Sequence, residues 1–288
     1  MHEQQAIKLI ECPRDAMQGW PRFIATDKKI AYINALLRVG FDTIDFGSFV
    51  SAKAIPQMAD TKDVLSKIDL QNSQSKLLAI VANTRGAEDA VAYDAVSYLG
   101  FPFSISPTFQ QRNTNSSIEQ SMIRVQEIQN LCIKSGKQLV LYLSMGFGNP
   151  YGDAYNEEIL LHWTDEIVKL DVNIISLADT VGLASAAQVG HALQTLIPRY
   201  SSVAFGAHLH SSTVNRKEKL EAALNAGCRR FDGALKGIGG CPMAQDDLVG
   251  NMPTEFMIDF FAQLNLPVNI NKDALAICLQ MAAGIFNT

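Results

Sequence analysis

Two histidines close together in the chain are the residues whose type and spacing most directly suggest chemistry. Residues 203–210 are mostly apolar and rich in small side chains, and polar residues follow them at once. This pattern predicts a buried strand that runs into a loop. Because side chains alternate across a strand, His208 and His210 should point the same way at its end. Two imidazoles aimed at one point can share a divalent metal ion, although hydrogen bonds alone would also satisfy them.

Composition limits the classes of partner that the chain can have. The 288 residues carry a formal net charge of −5, and 48% of them are hydrophobic. A chain of this kind can bury a large core, and its mild acidity argues against a nucleic-acid partner held through phosphates. No apolar stretch approaches the ~20 residues that span a bilayer, so we expect no membrane insertion.

Five cysteines bear on the expected compartment. Their odd number and the absence of close pairs argue against a disulfide framework. The first residues lack the basic and apolar regions of a signal peptide, so we expect a cytoplasmic location. Cys241 is treated with the site below. The other four lie in strand or helix patterns and are interpreted as packing residues.

Hydrophobic periodicity and turn residues predict eight alternations of strand and helix. The predicted strands are 7–11, 43–46, 77–81, 102–105, 138–143, 174–177, 203–210 and 230–232. The predicted helices are one that Thr26 or Asp27 caps and Gly40 ends, followed by 61–68, 87–99, 116–135, 157–170, 185–197, 215–226, 254–264 and 273–284. Ser116 and Glu119 are predicted to form a capping box, after a polar loop through Arg112 and Asn113.

Strands separated by helices must be parallel, and eight such units fit a (β/α)₈ TIM barrel. We expect a single domain over residues 1–288, with a C-terminal helical extension. The alternative is a doubly wound open sheet. The barrel is favoured because no Gly-x-Gly-x-x-Gly follows the first strand.

A TIM barrel places its site at the carboxyl ends of the strands. The polar residues predicted there are Arg14, Asp15, Gln18, Asp45, Ser48, Ser144, Asp179, Thr180, His208, His210, Cys241 and Asn251. Imidazole, carboxylate and amide ligands suit Mg²⁺ or Mn²⁺ better than Zn²⁺. Open coordination positions would take a substrate's oxygen atoms.

Three of these residues have two readings each. Arg14 either donates to a carbonyl or enolate oxygen or forms an ion pair with Asp15. Asp45 and Asp179 are expected to orient a ligand histidine or Arg14 rather than to react.

A glycine-rich loop at residues 237–242 carries Cys241. Its glycines would let the backbone close over a ligand. Near a metal and an arginine, the cysteine would have a lowered pKa and could move protons; the alternative is an inert thiol.

Several of these segments resemble the 3-hydroxy-3-methylglutaryl-CoA lyase family, a metal-dependent group of barrel lyases. The resemblance covers roughly residues 6 to 265. The matching segments are 13–18, 48–60, 115–119, 177–182, 208–210 and 237–245, with 250–251 and 254–255 after them.

The resemblance implies a reaction and a set of roles. It implies a retro-Claisen cleavage of 3-hydroxy-3-methylglutaryl-CoA to acetyl-CoA and acetoacetate, as in leucine breakdown and ketone-body formation. The divalent cation would be bound by Asp15, His208, His210 and Asn251. Arg14 would stabilise the enolate, His208 and Cys241 would transfer protons, and Asp45 and Asp179 would support them. Arg14, Gln18, Ser144 and Thr180 are the expected substrate contacts, and a homodimer is implied.

Departures from the family pattern keep other functions open. Cys12, Ala16 and Gly19 replace family residues, Asp45 stands for a glutamate and Ser211 for an aspartate. Segment 144–151 also lacks the family's cysteines. One alternative is a related metal-dependent aldolase or Claisen condensation enzyme acting on another 3-hydroxy-acyl substrate. The other is a non-catalytic paralogue that binds a metal or an acyl-CoA.

Overall fold

A computed structural model of the chain describes residues 6–240 and 249–287. Its strands are β1 (Lys8–Glu11), β2 (Thr43–Ser48), β3 (Lys76–Ile80), β4 (Val96–Ser104), β5 (Gln138–Ser144), β6 (Ile174–Asp179), β7 (Ala204–Leu209) and β8 (Arg230–Gly233). They pair in parallel and in chain order, and β8 pairs with β1 to close a barrel. The predicted TIM barrel is therefore confirmed, and an open sheet is excluded.

Helices connect the strands and cover the outside of the barrel. They are α1 (Pro13–Gln18), α2 (Thr26–Leu36), α3 (Thr61–Leu65), α4 (Thr84–Val91), α5 (Pro107–Thr114), α6 (Ile118–Lys134), α7 (Glu157–Val168), α8 (Ala186–Arg199), α9 (Arg216–Asn225), α10 (Thr254–Gln263) and α11 (Lys272–Ile285). The last two form the predicted C-terminal extension. Over the described ranges, no helix has both the length and the apolar character that crossing a bilayer requires.

Alternation along the strands separates two apolar regions. In β5, Leu139 and Leu141 join the large core between sheet and helices, whereas Val140 and Tyr142 belong to a separate cluster. Because successive side chains of a strand face opposite sides, this second cluster fills the barrel interior. The interior is a packed core, and a ligand can enter only at its ends.

The predicted helix 87–99 was wrong in its second half. Helix α4 ends at Val91, and β4 begins at Val96, six residues before the predicted start at 102. Tyr98 and Leu99 pair with both neighbouring strands. Valine and tyrosine suit a pleated surface, and sheet pairing outweighs the helical spacing of the preceding residues.

Two helices lie where loops were expected. The first, α1, directly follows β1 with Pro13 at its start, where a missing N–H costs nothing. The second, α5, replaces the predicted loop through Arg112 and Asn113. Ser106 caps it by accepting a hydrogen bond from the Phe109 N–H.

The predicted helix caps were misplaced. The capping box of α6 uses Ser117 and Gln120, one residue beyond the predicted pair. At α2, neither Thr26 nor Asp27 caps the helix. The N-cap position is Ala25, and the Thr26 hydroxyl binds Asp60 at 2.8 Å instead.

Candidate active site and metal centre

A cavity of about 180 Å³ opens at the carboxyl ends of the strands. Seven of the residues predicted for the site line it, namely Arg14, Asp15, Gln18, Ser144, Thr180, His208 and His210. Its apolar wall includes Val50, Ile55, Ile80, Pro102 and Tyr142. The predicted location of the site at this end of the barrel matches the cavity.

Helix α1 positions three of the polar side chains. Arg14 and Gln18 are four residues apart, so they lie on the same helix face. The Arg14 Nη1 donates to Gln18 Oε1 at 2.8 Å and lies 3.2 Å from Asp15 Oδ1. Gln18 Nε2 donates to the same Asp15 oxygen at 2.8 Å. This short helix therefore fixes Asp15 at the edge of the cavity.

Asp45 accepts hydrogen bonds from the other edge of the Arg14 guanidinium. The Arg14 Nε lies 3.0 Å and Nη2 lies 2.5 Å from Asp45 Oδ2. Burial lowers the pKa of Arg14, but the charges of Asp45 and Asp15 outweigh it and raise that pKa, so Arg14 stays charged. Among the described residues, Asp45, Asp15 and Gln18 accept from four of its five N–H groups, and the second N–H of Nη2 has no described acceptor. Asp45 thus contacts Arg14, and its predicted supporting role stays a prediction.

Both histidines have their Nδ1 atoms occupied on the side away from the cavity. Nδ1 of His208 lies 3.3 Å from Asp232 Oδ2, and Nδ1 of His210 lies 2.7 Å from the Val249 carbonyl oxygen. Hydrogen-bonded Nδ1 atoms leave the Nε2 lone pairs free for a metal. One ligand atom each from Asp15, His208 and His210 lies within 4.8 Å of the others.

The electrostatics favour the ligand forms of two of these groups. Burial raises the pKa of Asp15, but the charges of Arg14, His208 and His210 outweigh burial and lower it overall. Burial lowers the pKa of His210, and so does the nearby His208. A carboxylate and a neutral imidazole are the protonation states that bind a cation.

The side-chain amide of Asn251 indicates whether a cation fits this cluster. Its Nδ2 donates to Asp15 Oδ2 at 2.7 Å and to the Ile238 carbonyl oxygen at 2.9 Å. Its Oδ1 is buried and has no hydrogen-bond partner among the described residues. Such an atom is costly to bury unless something binds it. The oxygen ligand and the three neighbouring groups fit a divalent cation.

A second cluster of possible ligands is chemically less suitable. Cys12, His208 and Asp232 also lie close together. Burial raises the pKa of the Cys12 thiol well above its usual range, and four nearby carboxylates raise it further. Because a metal ligand must be a thiolate, Cys12 is unsuitable, and the cluster at Asp15 is preferred. The expected packing role of Cys12 fits its complete burial.

Five of the twelve predicted residues are not among those that line the cavity. Asp45 and Asn251 contact lining residues, as described above, and Ser48 is buried, with its hydroxyl oxygen accepting the Val50 N–H at 3.1 Å. Asp179 lies behind the site, where its carboxylate accepts from Ala184 N–H and from Lys219. Cys241 lies outside the described residues, so its predicted proton transfer stays a prediction from the sequence. Thr180 does line the cavity, and its hydroxyl oxygen accepts the Met145 N–H at 3.2 Å.

The sequence analysis missed four residues that the fold brings to this region. Asp232 binds His208, Tyr142 lines the cavity, Lys219 binds Asp179, and Glu11 accepts from the Leu235 N–H. Asp232 and Glu11 are carboxylates inside predicted strands, and a charged residue in a buried strand could have marked them as candidates. Tyr142 and Lys219 gave none, because a strand tyrosine and a helix lysine are ordinary residues.

A closed barrel with this cluster at its carboxyl end defines a TIM-barrel protein with a candidate divalent-metal site. Comparison with known proteins makes the assignment specific. A model of the HMGL-like family matches residues 7–281. The chain belongs to the HMGL-like family.

Three relatives illustrate the range of similarity. The chain is 32% identical over 263 residues to a hydroxymethylglutaryl-CoA lyase of Bacillus subtilis, covering 91% of this chain and 87% of that protein. It is 28% identical over 282 residues to an (R)-citramalyl-CoA lyase of Chloroflexus aurantiacus, covering 94% and 88%. The structure of an HMG-CoA lyase from Acinetobacter baumannii, in complex with coenzyme A and 3-methylmalate, superposes with a TM-score of 0.90 at 30% identity, covering 99% and 92%.

Proposed function

We propose that this protein is a metal-dependent carbon–carbon lyase that cleaves 3-hydroxy-3-methylglutaryl-CoA to acetyl-CoA and acetoacetate. The observation that carries the proposal is the convergence of Asp15 and two imidazoles beside the Arg14 guanidinium. Asn251 donates to Asp15 through its Nδ2, and its Oδ1 has no hydrogen-bond partner among the described residues. The similarity to hydroxymethylglutaryl-CoA lyases over most of the chain supports the same reaction.

The proposed cofactor is one divalent cation, Mg²⁺ or Mn²⁺, held by Asp15, His208, His210 and Asn251. When bound, such a cation acidifies a substrate hydroxyl and polarises a carbonyl. Oxygen and imidazole ligands suit both ions, and among the described residues the raised pKa of the Cys12 thiol disfavours a thiolate-type Zn²⁺ site.

The cavity wall fits a branched hydroxy-acyl thioester. Val50, Ile80 and Tyr142 form an apolar side that suits a methyl substituent. On the polar side, the Thr180 hydroxyl oxygen accepts from the backbone, so its hydrogen remains free to donate to a substrate oxygen. We propose that the acyl-CoA enters with its reacting carbons between these two sides.

The reaction needs one base, one charge acceptor and one acid. The base removes the proton of the tertiary hydroxyl, and the bond between the second and third carbons breaks as the new ketone forms. The electron pair moves onto the thioester as an enolate, and the free N–H of Arg14 stabilises that oxygen. Protonation of the enolate carbon then gives acetyl-CoA, and acetoacetate leaves. Cys241 is the predicted donor of that proton.

His208 was predicted both to bind the cation and to transfer a proton. Its Nδ1 is engaged by Asp232, so Nε2 is the ring nitrogen available for both roles. Because Nε2 has a single lone pair, it can fill only one of these roles at a time. A His208→Gln variant separates them, because loss of cation affinity reports the ligand role, and loss of cleavage with the cation retained reports proton transfer.

The product assay tests the proposal directly. We expect chelator-treated protein to be inactive, added Mn²⁺ or Mg²⁺ to restore release of acetoacetate and acetyl-CoA, and His210→Ala to abolish it. His191→Ala is a matched control, because His191 is an exposed histidine on α8 that pairs with Glu157. Cleavage that persists without metal, or that survives His210→Ala, would contradict the proposal.

A second candidate function is cleavage of another 3-hydroxy-acyl thioester, such as citramalyl-CoA. The relative from Chloroflexus aurantiacus favours this candidate. Assaying both thioesters with the same protein decides between them. A protein that binds metal and cleaves neither would be the non-catalytic paralogue, and Cys241→Ala should then leave binding unchanged.

Two finer predictions stay proposals. We propose a cytoplasmic location, which is supported by the four described cysteines, all buried free thiols. We also propose a homodimer, which rests on the family resemblance. Sedimentation analysis of the purified protein tests the dimer.

A further inference from the structure

Lys219 on α9 is a lysine whose ammonium lies inside the protein, behind the two site histidines. Its side chain is 1% exposed, whereas Lys217 in the first turn of the same helix is exposed. Burying an ammonium is costly unless it is paired and hydrogen-bonded. The contacts that compensate for this burial therefore indicate its role.

Three acceptors surround the Lys219 Nζ. They are Asp179 Oδ2 at 2.6 Å, the Gly182 carbonyl oxygen at 2.9 Å and the His210 carbonyl oxygen at 3.0 Å. An ammonium has three N–H donors, so each donor finds one acceptor. The acceptors belong to the end of β6, the loop after it and the residue directly after β7. Lys219 therefore ties the ends of two neighbouring strands together.

Both carboxylate oxygens of Asp179 accept hydrogen bonds from within the protein. Its Oδ1 accepts from the Ala184 N–H at 3.0 Å, and its Oδ2 accepts from Lys219. The side chain is buried and does not line the cavity as described. Any effect of Asp179 on the site must therefore pass through Lys219 and the backbone.

His210 is held from three directions. Its ring Nδ1 meets the Val249 carbonyl oxygen, its backbone bridges to Asn251, and its own carbonyl oxygen accepts from Lys219. The ring projects from this backbone, so a shift of the carbonyl moves Nε2 relative to Asp15. Misplacement of about 1 Å is enough to impair a site of this kind.

We propose that Lys219 is a positioning residue of the metal site: it neutralises Asp179 and binds the His210 carbonyl oxygen, and so fixes the His210 imidazole toward Asp15 and Asn251. The inference rests on the proposed metal site. It adds a residue that touches neither cation nor substrate, and it gives Asp179 an indirect role, through its ion pair with Lys219.

Mn²⁺ affinity of the chelator-treated full chain, measured by equilibrium dialysis, tests this proposal without any substrate. For Lys219→Met, we expect the Mn²⁺ dissociation constant to rise about 10- to 100-fold, the range for residues that orient ligands. The loss of lyase activity should shrink as Mn²⁺ concentration rises, because the defect lies in assembling the site. Lys219→Arg should recover part of the affinity, and Lys217→Met is the matched control that should change nothing.

A second variant keeps the test decisive if Lys219→Met fails to fold with Asp179 left unpaired. Lys219→Met combined with Asp179→Asn removes both charges, and it should fold yet still bind Mn²⁺ weakly, because the His210 carbonyl contact is lost. Wild-type Mn²⁺ affinity in either folded variant would overturn the proposal. A wild-type protein that binds Mn²⁺ but cleaves no thioester would refute the proposed reaction alone, whereas one that binds no Mn²⁺ would overturn both.

Discussion

The two ends of the barrel differ in how completely the buried arginine at each end is hydrogen-bonded. At the carboxyl end, Arg14 has acceptors for four of its five N–H groups, and its acidic partners hold it from two sides. At the amino end, Arg230 is 4% exposed and lines a second cavity. Its Nε and Nη2 have no hydrogen-bond partner among the described residues, and Asp42 lies 3.8 Å from its Nη1.

This difference distinguishes a candidate ligand site from a cavity without one. At the carboxyl end, Asn251 Oδ1 has no partner among the described residues, and the Nδ2 of the same amide donates to Asp15, one of three further ligand candidates that lie close together. At the amino end, the two nitrogens without a described partner belong to one guanidinium, which also has an ion pair with Asp42 at 3.8 Å. Orphaned polar atoms therefore indicate function only where their neighbours are complementary to the same ligand.

Removing the carboxylate from the metal cluster should have the largest effect. Asp15→Asn keeps the size of the side chain but removes the charge that the cation needs. We expect kcat/KM to fall by about 10³-fold or more, since bound cations supply several kcal/mol to such reactions. Steady-state kinetics at saturating Mn²⁺ checks this. Activity within tenfold of wild type, by the same order-of-magnitude scale, would remove Asp15 from the ligand set.

Arg14→Lys should have the next largest effect. A lysine keeps the charge but loses the planar fork that both meets Asp45 and leaves an N–H for the enolate. We expect kcat to fall by about 10²- to 10³-fold, as when one oxyanion donor is removed. Mn²⁺ affinity should change far less, because Arg14 is not a ligand. An unchanged kcat with weakened Mn²⁺ binding would reverse the assignment.

Glu11 predicts a pH dependence of stability at the base of the glycine-rich loop. It is completely buried and accepts from the Leu235 N–H at 2.9 Å and from the Thr254 hydroxyl at 2.5 Å. Burial raises its pKa from 4.5 to about 8, although the two hydrogen bonds oppose the rise. The folded protein therefore binds a proton between these two pH values that the unfolded chain releases.

The sign of the effect follows from this difference. The stability due to protonated Glu11 is fully present below the unfolded pKa and is lost as pH rises through the folded value. We expect the free energy of unfolding to fall by a few kcal/mol between about pH 5 and about pH 9. In Glu11→Gln this slope should be smaller, and in Glu158→Gln, an exposed control on α7, it should be unchanged. Equal slopes in wild type and Glu11→Gln would contradict the account.

Arg230→Met should have the smallest effect and sharpens the contrast between the two ends. An unpaired buried guanidinium contributes little to stability, and an apolar replacement is often neutral or stabilising by about 1 kcal/mol or more. We expect an equal or higher melting temperature and unchanged kcat/KM. A large loss of lyase activity would show that the amino end acts on the site.

The barrel was predictable because strand and helix periods repeat clearly along the chain. Helix α5 was not, because its few apolar residues give no helical face, and Ser106 and Pro107 alone mark its start. The boundary between α4 and β4 was missed because sheet pairing decided the conformation of Tyr98 and Leu99. The residues around this boundary do not reveal which strands will pair with them.

For the site, the sequence located side chains that project from strand ends. His208 lies in β7, His210 directly follows that strand, and Asp15 lies in the helix directly after β1; their ligand atoms lie close together. The residues that orient them were missed, because Asp232 and Lys219 come from β8 and α9 and act only through contacts that folding creates. The supporting role of Asp179 stays a prediction, and its partner Lys219 could not be predicted from its own segment.

The central claim is that one divalent cation sits between Asp15, His208, His210 and Asn251. A crystal soaked in Mn²⁺, with diffraction data collected at the manganese absorption edge, tests it most directly. The account predicts one strong anomalous peak in contact with the Asn251 Oδ1 and both Nε2 atoms, and no such peak in crystals of Asn251→Ala. A peak on the Cys12, His208 and Asp232 cluster, or none at either place, would contradict it.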